Sequence, residues 1–474
     1  VDAVTFNQLS RPGVESITHP SRWLLPIILL GNVLNVFDTF VVNVALPTLS
    51  QTLHANSADL ELVVAGYSVA YACLLVTGGR LGDTYGRRRL YLIGMTGFVA
   101  ASAACGTAPT ATILIVARLV QGATAALVVP QVLAIIQVTY TGHARQRALG
   151  MFGAVMGLAG VAAQILGGIL VSADVFGLSW RPAFLLNIPV GVVGVLAARR
   201  VIPESRAERP APIDGWGTAM LGSAVVLLLL PLAIGHDDHW PLWGWLMMAA
   251  AVPVAVAFFI VQTRAERRGV LPLLPPSLLR SPGMRRGLPV GVGVFMAYGG
   301  MMLTTTVSLQ YGLRYSAIKA GLTFSSYAVG FMLGSLVARR LVARFGRLAL
   351  IGGGLIFGLG CGLVALTTWS GYDGLTPVDL APGLAVIGAG QATLMIPLMG
   401  ATLNGVPADR TGVASGVWST NQQISRALGT VVMGTLFFSV AATHGYGSAT
   451  VAAALAEAAL AALAGLGSWR LRPA

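Results

Sequence analysis

Apolar runs of about 20 residues recur along almost the whole chain, and that is the length a helix needs to cross a bilayer. No other feature limits the fold so severely. In hydrocarbon each backbone polar group must find its partner inside the protein, so such a chain becomes a bundle of spanning helices. Composition agrees: 10% of the 474 residues are charged and mean hydropathy is +0.77, whereas a soluble domain carries about 25% charged residues. No short apolar core with a small-residue cleavage site follows the polar first 22 residues, so no cleavable signal peptide is expected.

Fourteen spans are predicted, at about 22–46, 58–80, 89–107, 110–139, 147–172, 181–201, 214–235, 241–262, 286–311, 318–341, 347–369, 378–403, 411–441 and 447–468. Their orientation follows from the arginines, because inner loops retain basic residues. With the N-terminus inside, 25 of the 30 basic residues lie on the inner side and three, Arg181, Arg314 and Lys319, on the outer side. Arg118 and Arg426 remain in mid-span. The bias requires an even number of spans and both termini in the cytoplasm. The net charge of +13 is therefore topological, and no nucleic acid is expected as a partner. Cys73, Cys105 and Cys361 fall in apolar runs without any CxxC pair and read as small buried residues.

An internal repeat is visible. "RLGDTYGR" (80–87) follows the second span and "RLVARFGR" (340–347) follows the tenth, offset by 260 residues. "ATAALVVP" ends at Pro130 and "GQATLMIP" at Pro397, a similar offset. A parallel repeat gives a 6+2+6 plan. It has an N-terminal bundle at 1–201, two inserted helices and an inner connector at 202–285, and a C-terminal bundle at 286–474. The connector, about 263–285, is expected to lie along the membrane surface. "GAVMG" (153–157) and Gly354, Gly358 and Gly362 are small-residue patterns that permit close helix approach.

Several motifs carry a resemblance. "GGRLGDTYGRRRL" (78–90) is similar to motif A of the major facilitator superfamily, with Gly79, Leu81, Asp83, Gly86, Arg87 and Arg88 matching, and Gly82 and Thr84 departing. "FDTFVVNVALP" (37–47) resembles the first-helix motif of the fourteen-helix drug:proton antiporters, with Phe40 in place of threonine. "RLVQGATAA" (118–126) resembles motif B, and "WRPAFLLNIPVG" (180–191) the sixth-helix opening of that branch. In the fifth span "AAQILGG" (162–168) keeps Gly167 and Gly168, but Ala163 and Gln164 replace the branch's Gly-Pro. The resemblance implies two six-helix bundles rocking about a central cavity. It also implies a conformational latch at Gly79, Asp83, Gly86, Arg87 and Arg88, and proton exchange at carboxylates.

The intramembrane charges point the same way. Asp38 lies about 8 residues from the outer end of its span, roughly 12 Å at about 1.5 Å per residue. Arg118 is equally deep on a span running the other way. Asn35 and Gln121 are their polar neighbours at helical spacing. Buried ionisable groups pair or face a cavity, so Asp38 and Arg118 are expected to form the proton-coupling pair; a static salt bridge is the alternative. Ser419, Gln422, Gln423, Arg426 and Thr430 form a polar stripe. With Asn421, they are cavity candidates, Arg426 for an anionic or polar substrate group or for a structural pairing. Gln310, Tyr311 and Trp418 are weaker candidates. Glu457 is expected at a lipid-side or helix-interface position, Asp59 and Glu61 at a solvated outer mouth, and "HDDHW" (236–240) in a solvated loop without metal.

No Walker A, HExxH or GxSxG motif occurs, so no enzyme and no cofactor are expected, and energy must come from an ion or substrate gradient. The expected function is export of small lipophilic or amphipathic molecules by a proton-coupled secondary transporter. It would act as a monomer in a bacterial inner membrane, with lipid, substrate and protons as its partners. A lipid or metabolite exporter or uniporter without strict antiport is the alternative.

Overall fold

The computed structural model describes residues 21–173, 177–207, 214–234, 241–270, 272–407 and 410–471. Arg11, Arg209, Arg472 and "HDDHW" (236–240) lie outside them. Among the described residues the secondary structure is helical, without strands. The helices are α1 (Leu24–Leu53), α2 (Ser57–Tyr85), α3 (Arg87–Gly106), α4 (Ala111–Thr139), α5 (Gly142–Ser172), the short α6 (Pro182–Leu185), α7 (Asn187–Val201), α8 (Gly215–Ile234) and α9 (Leu242–Arg267). They continue with the short α10 (Pro276–Arg280), α11 (Pro282–Val307), α12 (Ala317–Phe345), α13 (Arg347–Gly371), α14 (Pro377–Leu403) and α15 (Thr411–Gly467). Twelve of the described helices are long and apolar enough to cross a membrane, and the described apolar part of α1, Leu24–Thr39, is shorter.

The 57 residues of α15 are not one rod. Gly445 has φ 79° and ψ 171°, which is not helical. A side chain on Gly300 of α11 would meet both Met433 and Glu457, so the two arms of α15 pass α11 at one depth. The helix folds back at Gly445, and the arms 411–444 and 446–467 supply the last two of the expected passes.

The same packing scheme occurs twice. α2 and α3 pack on α4 while α1 packs on α5; α12 and α13 pack on α14 while α11 packs on α15. The repeated glycine explains the matching corners. Gly86 between α2 and α3 has φ 107°, and Gly346 between α12 and α13 has φ 56°. Residues with a Cβ rarely adopt either conformation, so each hairpin turns on one glycine. α8 and α9 pack on each other, and α8 lies against α2 and α15.

The two groups of helices meet along two seams, α2 with α15 and α5 with α12. Gly153 faces Ile396 and Gly157 faces Phe331, which puts the "GAVMG" pattern in the second seam. Gly354 and Gly358 abut the second arm of α15, whereas Gly362 has open space beside it.

Two expectations need correction. α1 continues to Leu53, so Asp38 sits at mid-helix, about 15 residues or roughly 22 Å from the outer end. The connector does not lie free on the membrane surface. Asp214 accepts hydrogen bonds from Gly217 N (2.7 Å) and Gln262 Nε2 (2.7 Å), and Gln262 Oε1 accepts from Leu274 N (3.0 Å); these bonds tuck Leu273, Leu274 and Leu278 into the core. Of the two places expected for Glu457, lipid side or helix interface, the structure shows the interface: it is 2% exposed, and Thr304 Oγ1 of α11 donates to its Oε1 at 2.9 Å.

Candidate functional site

Asp38 and Arg118 meet. Burial of a lone charge in hydrocarbon is costly, and the surroundings of this pair offset that cost one contact at a time. Arg118 Nη1 bonds Asp38 Oδ2 in a salt bridge with both side chains at 1% exposure or less. Its Nε donates to the Val63 carbonyl at 3.0 Å, and Nη1 also donates to Gln121 Oε1 at 2.8 Å. Asp38 Oδ1 accepts from Gln121 Nε2 (2.7 Å) and Asn187 Nδ2 (3.2 Å). Ser102 Oγ accepts from the same two amides at 2.8 and 3.3 Å.

An aromatic wall closes the pair off. The Arg118 guanidinium lies 4.3 Å from the centre of the Tyr67 ring and 5.8 Å from that of Phe184. Such a face attracts a cation without adding a charge. Asn35 Nδ2 donates to the Tyr67 hydroxyl at 2.6 Å, so Asn35 orients this wall. α1, α2, α3, α4 and α7 all contribute. The chemical capacity is a fully buried carboxylate paired with one cation. If the carboxylate is protonated, the cation keeps only neutral partners.

Gly167 explains how α5 can approach. A Cβ there would lie 2.8 Å from Val41 Cγ2, one turn beyond Asp38. α5 is continuous from Gly142 to Ser172, as expected of a helix that retains the hydrogen bond a proline would remove. The side chains at 40, 164 and 168, which include Gly168, fall outside the described residues.

The second cluster lies at the arginine-rich end of the α2–α15 seam. Asp83 is 1% exposed. Its carboxylate accepts from the backbone N–H of Gly412 and of Val413, both at 3.1 Å, and from Arg87 Nη2 at 2.7 Å. Arg87 Nη2 also donates to Thr411 Oγ1 at 3.0 Å. The carboxylate thus caps the N-terminus of α15, where free amides and the helix dipole favour an anion. Gly79 makes this possible: a Cβ there would fall 2.0 Å from the Gly412 carbonyl oxygen. Gly86 lies against Glu204, which accepts from Arg88 N at 3.2 Å, and Arg88 Nη2 donates to the Arg199 carbonyl.

Gly79→Leu should therefore part α2 from α15. In a background freed of native cysteines, a cysteine at the fully buried Ser415 should react several-fold faster with an impermeant maleimide applied to the arginine-rich side. Unchanged labelling of a folded variant would show that the seam does not depend on this contact.

The second-half candidates are dispersed. Arg426 is half-buried with its guanidinium 5.2 Å from the centre of the Tyr298 ring. Gln422 is half-buried, and Asn421 Nδ2 donates to the Leu288 carbonyl at 3.3 Å. Gln310 and Tyr311 sit in a π-helical turn, Ser308–Gly312, with Tyr311 70% exposed. Trp418 is not open to a cavity: it is buried edge-on to Phe295 with centroids 5.5 Å apart.

Asn187, Ser102, Tyr67 and the amides of Gly412 and Val413 escaped sequence reasoning. Asn187 had a signal, a lone amide in an apolar run. The backbone amides had none, because any residue supplies them.

Comparison with known proteins places this arrangement. The family model "Major Facilitator Superfamily" matches residues 28–430. The chain is 37% identical over 443 residues to the "Probable actinorhodin transporter" of Streptomyces coelicolor, covering 93% of this chain and 77% of that protein. It is 30% identical over 420 residues to the "Tetracenomycin C resistance and export protein" of Streptomyces glaucescens, covering 86% and 74%. With the "Puromycin resistance protein pur8" of Streptomyces alboniger it shares 32% over 439 residues, covering 90% and 84%. The crystal structure of the human organic anion transporter MFSD10 (TETRAN) superposes with a TM-score of 0.64 at 17% identity, over 95% of this chain and 100% of that one, which shows the shared fold. The chain is a multi-pass membrane protein of the major facilitator superfamily, and its bacterial relatives are antibiotic and multidrug efflux transporters.

Proposed function

We propose that this protein exports small lipophilic or amphipathic molecules by alternating access, driven by protons that enter and leave at Asp38. The observation that carries this reading is the fully buried Asp38–Arg118 pair at the centre of α1. A carboxylate so placed is expensive unless it works. The Asp83–Arg87 cluster acts as the latch: it ties α2 to the start of α15 and shuts the arginine-rich end. When the latch opens and the seams part, water reaches the pair from one side only. Protonation of Asp38 then loosens Arg118, and the proton leaves when the bundle rocks back. The two six-helix bundles, with α8 and α9 inserted, are the moving bodies.

Both termini sit in the cytoplasm of a bacterial inner membrane in this reading, and one chain suffices. The relatives named for actinorhodin, tetracenomycin C and puromycin support a cargo of drugs or secondary metabolites. A second reading, export or uniport of a lipid or metabolite without strict antiport, draws on the unbroken α5, which lacks the Gly-Pro step. Dye efflux from everted vesicles tests the choice. Export by proton antiport collapses when an uncoupler is added, and persistence of uphill export with the uncoupler present contradicts it.

A further inference from the structure

Arg426 is the mid-membrane charge left unexplained by the proton site. It lies midway along the first arm of α15, where Gly299 and Gly429 bring α11 and α15 into backbone contact. That approach sets the Tyr298 ring under the guanidinium at 5.2 Å. Tyr298 stacks on Tyr327 with centroids 6.1 Å apart and planes at 24°, and the Tyr327 hydroxyl donates to Gln391 Oε1. In the other half, Tyr71 stacks on Tyr67 at 6.0 Å and 14°. One stacked tyrosine pair, Tyr298 with Tyr327, thus lies beside the Arg426 cation.

The charges do not cancel here. Asp38 is matched by Arg118. Among the described residues no carboxylate forms a salt bridge with Arg426, and Glu457 is instead engaged by Thr304. The tyrosines on that side, Tyr298 and Tyr327, are not anions at neutral pH. A cation so far inside the membrane marks a pairing or a substrate pathway, and a guanidinium takes a planar acid in a forked hydrogen bond. Flanking rings select flat aromatic faces.

We infer that Arg426 receives the acidic group of a planar aromatic substrate, with Tyr298 holding its ring system. This deepens the export reading above and rests on it for transport, but binding alone can be measured without a gradient. Gln422 and Gln423, half-buried on the same stripe, would accommodate further polar substituents.

Fluorescein and rhodamine 123 share a xanthene frame and differ in charge, so they separate the acid from the ring. Binding to purified protein is read by fluorescence anisotropy, and transport by proteoliposome uptake. The wild type should bind fluorescein the more tightly. Arg426→Gln should weaken fluorescein binding by about tenfold or more and leave rhodamine 123 unchanged or improved, while Arg426→Lys retains part of the preference. Tyr298→Leu should weaken both dyes, because it removes the ring and keeps the charge. A wild type that binds fluorescein no better than rhodamine 123 overturns the inference, as does an Arg426→Gln protein that keeps the preference. Loss of gradient-driven transport with the preference intact would count against proton coupling instead.

Discussion

Asp38→Asn should reduce gradient-driven export to the background of vesicles without protein, while substrate exchange down its own gradient continues. The amide is nearly isosteric, so the cavity it fills hardly changes. It can still accept from Gln121 Nε2 and Asn187 Nδ2, which lie 2.7 and 3.2 Å from Asp38 Oδ1. Arg118 keeps the Val63 carbonyl, Gln121 Oε1 and the Tyr67 face. The variant loses the exchangeable proton together with the negative charge opposite Arg118, and its amide N–H2 takes the place of the Oδ2 that accepted from Nη1, so some thermal stability is lost as well. Uphill transport needs that proton, whereas exchange needs only the rocking of the bundles. Counterflow and pH-driven uptake in the same proteoliposomes measure the two separately. Loss of both, in a protein that still melts cooperatively, would assign Asp38 to substrate binding or to structure.

Arg118→Met should have the largest effect on stability. It strands the Asp38 carboxylate where no other described cation reaches it. Removing one partner of a buried pair costs about 3–5 kcal/mol, because the other charge is left uncompensated. Methionine fills most of the volume and packs on Tyr67 and Phe184, so a cavity is not the cause. The double variant Asp38→Asn, Arg118→Met should recover most of the lost thermal stability, since two neutral groups leave no orphan charge. If single and double variants melt alike, the arginine acts through packing and its link to Val63.

Legibility in the sequence followed the range of the interaction. The spanning helices were readable because hydrophobic length is a local property, and the family was readable because its motifs are short. The hairpin corners were readable as well: Gly86 and Gly346 stand at matching places in the repeated loops, and both take positive φ. The end of α1 was not. Residues 47–53 are polar enough to resemble a loop, and tertiary contact carries the helix on to Leu53.

Pairing was legible only in part. Asp38 and Arg118 could be paired because two opposite charges in hydrocarbon have few alternatives, although the equal depths counted for them do not survive the longer α1. Asn187 and Ser102 could not be added, because short polar side chains tolerate many environments. For Asp83 an arginine or a helix N-terminus was legible as a partner, and Arg87 supplies the first; which helix start it caps was hidden, because the amides of Gly412 and Val413 lie more than 300 residues away. The connector was misread because "LPLLPPSLLR" looks interfacial, whereas Asp214 and Gln262 pin it to the core through bonds that no local pattern announces. For Glu457 the last span left lipid side and helix interface open, and the fold-back at Gly445 sets it at the interface, against Thr304 of α11.

The most direct test of proton exchange at Asp38 is substrate-induced proton release from the purified protein in weakly buffered detergent solution, followed with a pH-sensitive dye. Adding a transported dye to the wild type should release protons in proportion to the protein present, and Asp38→Asn should release none while still binding the dye. Equal proton release from both proteins would contradict the account.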